Sequence, residues 1–580
     1  MLLTGHHVEL RERIFGLLAD PIFVLNPYDS FQALRENTLT RLRRFAEAGF
    51  FSTIDYVKDP LKFAAALECL AFIDYNLSIK AGVHYTLCGG TIAKLGTRKH
   101  HDAFIRKLDT CELPGCFGMT ELGHGSNVSG IETMAEYDAS TQTFVINTPT
   151  DSASKFWIGG AAQHGKICTV FAQLKTQGRD QGVHVFAVRI RDDHGRVTPG
   201  VRIEDCGHKM GLNGVDNGRI WFQNLHVPRD ALLDKMAVVA PDGSYSSPIA
   251  NKSTRFGVMI GGLIVGRLLI AQGAIDASKV ALAIAIRYSM SRPQFGDRIV
   301  MDYVTHQRRL LVPLATMYAL SFALIDVKRM NARNDPKESR LVHERSCGLK
   351  ALATWSRVET MQFCRECCGG QGYLTANQIC VFKTDMDVDV TFEGDNTVLM
   401  QQTARPLIAA AAKSMGSMLN PPVQRGGCPI KRAETFLQYR VDALARRAHT
   451  EIAGAGGDEA AVNQNLDIVI EVGFAAMECF ALRCFSTAVN SVSAKNVREP
   501  LDALLQLYAL SKLEKASRFF LEYGAMKANE VAALRKDING ICNDLNKTKM
   551  TALLVDGFGI PDFIIRAPIA RDWRKLGIRQ

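Results

Sequence analysis

The sequence predicts a mainly α-helical protein with a central β-domain: an N-terminal helical domain, an antiparallel, β-barrel-like middle domain and two C-terminal helical bundles. Periodicity carries this reading. Apolar residues recur every three or four positions from Met1 to about Cys111, the period drops to two between about Thr133 and Phe222, and the longer period returns after Pro228. The expected boundaries are residues 1–112, 113–235, 236–419 and 420–580. With 580 residues, 47% hydrophobic and 22% charged, the chain has the composition of an ordinary globular protein. Disorder, a collagen-like repeat and a small disulfide scaffold are excluded.

Each element has a local reason. In the first segment, Asp59-Pro60 ahead of Leu61, Phe63, Ala64 and Leu67 is an N-cap followed by proline at the first helical position. In the second, Phe144–Ile146, Thr169–Phe171, Val183–Val188 and Ile220–Phe222 are short β-rich runs, separated by turns such as Asp192-Asp193-His194-Gly195 and Asn213-Gly214. No helical stretch long enough for a βαβ crossover intervenes, so an antiparallel sheet is expected. Long helices are predicted over Phe256–Met290, Val304–Met330 and Ser339–Cys368. Asn420-Pro421-Pro422 with Gly426-Gly427-Cys428-Pro429 reads as a linker. Beyond it Leu501, Leu504, Leu505 and Tyr508 mark an amphipathic helix, and Ala453–Asp458 an exposed glycine-rich loop. The longest apolar run, Phe256–Gly266, is 11 residues and stops at Arg267, short of the ~20 a membrane span needs, so no transmembrane segment is expected.

The formal charge of +10, from 69 Lys and Arg against 59 Asp and Glu, suits a polyanionic small ligand such as a nucleotide or coenzyme A. Neither zinc-finger spacing nor an aromatic RNA-binding signature supports nucleic acid. The 15 cysteines lie in apolar stretches, as Cys69, Cys168 and Cys479 do, and read as buried free thiols. Cys364, Cys367 and Cys368 lack the second pair that zinc would need, since Cys380 stands alone, and no metal site is expected.

Four segments carry chemistry. Cys116–Asn127 contains the string Met119-Thr120-Glu121-Leu122-Gly123-His124-Gly125-Ser126, in which small residues bring backbone N–H groups close to a ligand and Thr120 adds a hydroxyl. In Lys155-Phe156-Trp157-Ile158-Gly159-Gly160 an exposed Trp157 can stack on a planar ring; a core tryptophan is the alternative. Arg292-Pro293-Gln294-Phe295-Gly296 offers a forked phosphate donor beside an aromatic ring. The fourth joins Cys367-Cys368-Gly369-Gly370-Gln371-Gly372-Tyr373 to Thr391-Phe392-Glu393-Gly394-Asp395-Asn396-Thr397, where Glu393 is a carboxylate beside an aromatic ring, suited to act as a base when desolvated. Asp385, Asp387 and Asp389 alternate upstream; Asn396 stands where a calcium loop needs Glu, so they read as a solvated strand face.

In order and wording, these segments resemble the acyl-CoA dehydrogenase and oxidase superfamily, its oxidase branch in particular, over nearly the whole chain. The tail strings Asp556-Gly557-Phe558-Gly559-Ile560-Pro561-Asp562 and Ala567-Pro568-Ile569 look oxidase-like too. The resemblance implies FAD as cofactor, fatty acyl-CoA as substrate, O2 as electron acceptor and a homodimer. It implies that Glu393 is the catalytic base and that Thr120 and Gly159, 39 residues apart, contact the flavin, with Trp157 and Ile158 flanking its ring. Arg292, Gln294 and Phe295 would contact the adenosine diphosphate tail across the dimer, and Gly369 and Gly370 would lie along it. A dehydrogenase passing electrons to an electron-transfer flavoprotein and a non-catalytic acyl-CoA-binding protein are the alternatives. No GxGxxG follows a strand, which argues against a nicotinamide enzyme. The family implies a peroxisome, with the cytoplasm as alternative: Ile578-Arg579-Gln580 is not a Ser-Lys-Leu type address, and Met1–Asp20, with Glu9, Glu12 and Asp20, does not read as a presequence.

Overall fold

A computed structural model describes every residue except 1, 2, 4, 27, 414–418, 423–427 and 575–580. Part of the expected linker, Gly426 and Gly427, and the terminal Ile578–Gln580 lie outside the described residues. The chain divides into two compact units, His6–Leu269 and one made of Ile270–Gln580 together with Met1–Gly5.

In the first unit, helices such as Phe31–Glu47 and Pro60–Glu68 precede the β layer, and Asp59 caps the latter by accepting from the Lys62 amide, with Pro60 at the first position. The segment Gly82–Gly89 winds as a π-helix, and its His84 Nδ1 accepts the Gly115 amide at 2.9 Å, tying the helical layer to the first strand. The expected boundary at 112/113 is therefore a change of secondary structure inside one body.

The β layer comprises β1 (Gly115–Gly118), β2 (Met134–Asp138), β3 (Thr143–Asn147), β4 (Lys155–Gly159), β5 (Ile167–Thr176), β6 (Arg179–Arg189), β7 (Val201–Asp205), β8 (Asn217–Phe222) and β9 (Leu225–Pro228). The expected antiparallel pairing holds for β2–β3, β3–β9, β5–β6, β4–β8 and β7–β8. It does not hold for β5's other neighbours: β1 pairs in parallel with Ile167–Val170 and β2 in parallel with Gln173–Lys175. With β6 along one edge of β5, β1 and β2 follow each other along the other. No crossover helix is needed because the chain leaves that edge at residue 119 and rejoins it at 134 in the same direction. A short ribbon of β10 (Val238–Val239) and β11 (Tyr245–Ser246) follows, with Val239 in the β core.

The second unit is helical. Val304–Arg333, Ser339–Cys367, Asn396–Lys413, Pro429–Gly454, Leu466–Asn490, Lys495–Lys515 and Ala528–Lys547 are its main helices. Leu501, Leu504, Leu505 and Tyr508 are all buried. The two expected bundles share one core: Trp355 stacks on Phe474 with ring centroids 5.0 Å apart, and a Cβ on Gly473 would meet the Met400 carbonyl at 2.8 Å. Segments 252–291 and 304–333 are long and apolar enough to cross a membrane by length and composition, which a search for uninterrupted apolar runs does not reveal. Their apolar windows are 61% and 89% buried, as the core helices of a folded domain are. All the cysteines are free, and no group of three or more His, Cys, Asp or Glu among the described residues could hold a metal ion.

Burial pushes the imidazoles of His84, His184 and His306 down to about 4. In the unfolded chain each takes up a proton near pH 6.5, whereas the folded protein refuses it until about pH 4. The unfolded state therefore binds more protons in that window, and stability falls as pH falls from 6.5 toward 4, by up to about 4 kcal/mol per pH unit for the three together. Urea midpoints measured from pH 7 to 4.5 should show this slope, and His184→Gln should remove about a third of it; parallel slopes in the two proteins would contradict the assignment.

Candidate functional site

In the first unit the loop from Met119 to Thr133 is closed at its base by a buried ion pair. Lys155 Nζ donates to Glu121 Oε1 at 2.9 Å and to the carbonyls of Phe171 and Met119 at 2.7 and 3.2 Å. Glu121 in turn accepts from the Glu132 amide, the Thr133 amide and the Thr133 hydroxyl at 2.6, 2.9 and 2.6 Å. Both side chains are fully buried, and burial pulls the Lys155 ammonium below its ordinary range against the opposing pull of Glu121. Sequence reasoning quoted both residues and missed the pair, since 34 positions separate them.

This closure aligns two of the predicted segments. Thr120 Oγ1 donates to the Phe156 carbonyl at 2.8 Å, and the Phe156 amide donates back to the Thr120 carbonyl at 3.0 Å. Thr120 thus sits beside Trp157, Ile158 and Gly159. A register shift in β4 places Trp157 at a left-handed φ of 64° with its side chain 55% exposed, which settles the choice against a core tryptophan. Gly159 has no room for a side chain, because a Cβ there would lie 2.9 Å from a Val83 methyl. Ile158 is 2% exposed within the β core, so what it presents outward is backbone. The same register shift breaks the regular alternation of the strand: Lys155 and Trp157, two positions apart, are buried and exposed respectively, and Ile158 turns inward.

In the second unit, two segments more than 70 positions apart line one cavity of about 550 Å³. Arg292 and Gln294 contribute from one, Gly369 and Gly370 from the other, with Arg309 and His306 beside them. Arg309 pairs with Glu366, and the Arg292 guanidinium lies 4.2 Å from the centre of the Trp573 ring. Gly369 has φ 59°, a conformation that strains any side chain, and leaves its backbone bare toward the cavity. His306 Nε2 lies 2.7 Å from the Ser289 hydroxyl. Phe295 is outside the cavity lining, 85% exposed. Two guanidiniums against one carboxylate, with bare glycine backbone, give the cavity a lining rich in hydrogen-bond donors and of net positive charge. Arg309, Glu366 and His306 were missed, because a basic helix position carries no sequence signal of what it faces.

Glu393 is on a turn between a 3-10 segment (Asp387–Val390) and the Asn396–Lys413 helix, at a left-handed φ of 54°. Asp395 caps that helix by accepting from the Thr397 amide at 2.9 Å. The expected solvated strand face is corrected here: Asp385 ends a helix that starts at Ile379, Asp387 and Asp389 lie on the 3-10 segment, and Asp389 is buried. The alternation mimics a strand, but Arg357 Nη2, from the Ser339–Cys367 helix, donates to the Met386 carbonyl at 2.7 Å and holds the chain in helical turns.

An acyl-CoA dehydrogenase middle domain matches residues 116–225, an acyl-CoA oxidase C-alpha1 domain residues 260–408 and a further acyl-CoA oxidase domain residues 430–572. Fold and site thus define a protein of the acyl-CoA dehydrogenase and oxidase class. The peroxisomal acyl-coenzyme A oxidase 3 of Arabidopsis thaliana is 38% identical over 99% of this chain and 90% of its own length. The crystal structure of acyl-CoA oxidase 3 from Yarrowia lipolytica superposes with a TM-score of 0.89 at 29% identity, covering 98% of this chain and 88% of that one. Acyl-CoA oxidase-1 of Caenorhabditis elegans, solved in complex with FAD and ATP, superposes with a TM-score of 0.85 at 25% identity over 97% and 88%. The chain belongs to the acyl-CoA oxidase family.

Proposed function

We propose that this protein is an FAD-dependent acyl-CoA oxidase that converts a saturated fatty acyl-CoA to the trans-2-enoyl-CoA and reduces O2 to H2O2, acting as a homodimer in the peroxisome. The observation that carries the reading is a carboxylate, Glu393, held on a strained turn in a chain that matches acyl-CoA oxidases from end to end. FAD is the cofactor in which the solved Caenorhabditis relative is complexed, and the peroxisome is the compartment that the Arabidopsis relative's name states.

The residues fit that cofactor. In the dimer that the family implies, Arg292, Arg309, Gly369 and Gly370 of one protomer would hold its anionic tail, and Thr120, Trp157 and Gly159 of the other would receive its ring system. When bound, FAD supplies an acceptor for the hydride lost from the β-carbon and a route for the electrons to O2. Glu393 takes the α-proton: its carboxylate accepts as the Cα–H bond breaks, and backbone donors stabilise the charge developing on the thioester oxygen.

The test is peroxide release on adding palmitoyl-CoA to the purified protein in air with no other acceptor. One peroxide per enoyl-CoA formed supports the oxidase; a flavin that stays reduced in air for minutes but is reoxidised by an electron-transfer flavoprotein supports a dehydrogenase instead. Arg292→Ala should lower the flavin absorbance per chain after dialysis at least severalfold, while Asp387→Ala, outside the cavity, leaves it unchanged. Equal flavin content in both would move the cofactor tail elsewhere.

A further inference from the structure

The Ser339–Cys367 helix carries a lysine with no exposed surface at all: Lys350 is 0% exposed. A buried ammonium is tolerated only where acceptors replace the lost water. Those seen here belong to the turn that bears Glu393. Lys350 Nζ donates to the Gly394 carbonyl at 2.8 Å and to Asn396 Oδ1 at 3.0 Å. The other end of the Asn396 carboxamide is fixed as well, since its Nδ2 donates to Thr354 Oγ1 at 2.8 Å, and that hydroxyl donates back to the Lys350 carbonyl at 2.8 Å. The result is a closed ring of hydrogen bonds running from helix to turn and back.

Lys350, Thr354 and Arg357 stand at i, i+4 and i+7, one face of the helix, and all three are buried. Arg357 holds the Met386 carbonyl upstream of the catalytic turn, and Lys350 with Thr354 holds Gly394 and Asn396 downstream. Between these two fastenings the backbone passes through φ 54° at Glu393 and φ 105° at Gly394. A left-handed glutamate is unfavourable by itself and persists only where its surroundings over-determine it. Relaxation to an ordinary helical or extended φ would swing the carboxylate away from its present direction.

We infer that Lys350 is a positioning residue for the α-proton abstraction: its ammonium fastens the Gly394 carbonyl and the Asn396 side chain, and so fixes the direction in which the Glu393 carboxylate meets the substrate. This deepens the oxidase reading and rests on it. Lys350 does not touch the reacting atoms; it acts through the turn. The turn is addressed directly by the chemistry of the donor: methionine fills a similar volume and cannot donate to either acceptor.

The experiment compares Lys350→Met, Thr354→Val and Glu393→Gln in the flavin-loaded protein, with palmitoyl-CoA as substrate. Lys350→Met should lower kcat about 100-fold, the cost of misplacing a reacting group by about 1 Å. KM should stay within threefold, and flavin per chain should not change. Amide hydrogen exchange should accelerate in residues 391–397 of that variant and not in the Met119–Thr133 loop, a readout that does not depend on turnover. Thr354→Val, nearly isosteric, should lower kcat about fivefold with KM unchanged. A folded, flavin-loaded Lys350→Met with kcat within threefold of the parent overturns the inference. If Lys350→Met does not fold, unchanged kcat in Thr354→Val overturns it instead. Failure of the underlying reading looks different: Glu393→Gln would then remain active.

Discussion

Glu393→Gln should lose turnover by about 10²–10⁴-fold while flavin content and acyl-CoA affinity stay at parental values. The amide has nearly the shape of the carboxylate but cannot take a proton, so only the abstraction step is removed. The substitution also leaves the turn intact. Its left-handed φ of 54° is as accessible to glutamine as to glutamate, and the Lys350, Asn396 and Asp395 bonds do not involve the altered atom. Stopped-flow bleaching of the flavin by palmitoyl-CoA, under anaerobic conditions, measures the step directly. Bleaching within threefold of the parent would place the base elsewhere. A loss of flavin along with activity would show instead that the turn had moved.

The second large effect is on folding. Lys155→Met should destabilise the protein by about 3–5 kcal/mol, because it leaves the Glu121 carboxylate buried without the cation opposite it. The carboxylate retains its three donors from Glu132 and Thr133, so the loop keeps its shape where the variant survives, and the deficit is one of charge. Adding Glu121→Gln removes that charge, and the double variant should recover part of the loss. Urea unfolding of the four proteins closes the cycle. A Lys155→Met variant within 1 kcal/mol of the parent would mean that the pair contributes little to closing the loop, and Thr120 and Phe156 would have to hold each other through their own two hydrogen bonds.

Much of this protein is legible one residue at a time. Helix or strand follows from spacing, which is why the Asp59-Pro60 cap, the Val304–Arg333 and Ser339–Cys367 helices and Leu501, Leu504, Leu505 and Tyr508 fall where their periods put them, whereas the helix expected over Phe256–Met290 is interrupted at Gly261 and Gly262. The four chemical segments are legible too, since glycines, a lone carboxylate beside an aromatic ring and forked cations are local properties. One alternating pattern misled. Asp385, Asp387 and Asp389 alternate like a strand yet lie on helical turns, because Arg357, from a helix far along the chain, holds their backbone. Ile158, beside an exposed tryptophan, faces the core because the register shift in β4 and the left-handed backbone at Trp157 interrupt the alternation of the strand.

The sequence by itself determined the element types, the family and which residues are chemically equipped. The tertiary structure decided which of them meet. Spacing says nothing of partners 34 or 44 positions away, so the Lys155–Glu121 pair and the Lys350–Gly394 bond became visible only in three dimensions. The same holds for the parallel placement of β1 and β2 along β5, which depends on where the chain re-enters an edge rather than on any residue in it. Local structure is set by interactions within one turn or one strand, which a window of sequence contains. A buried charge is set by what lies opposite it once the chain has closed, which no window contains.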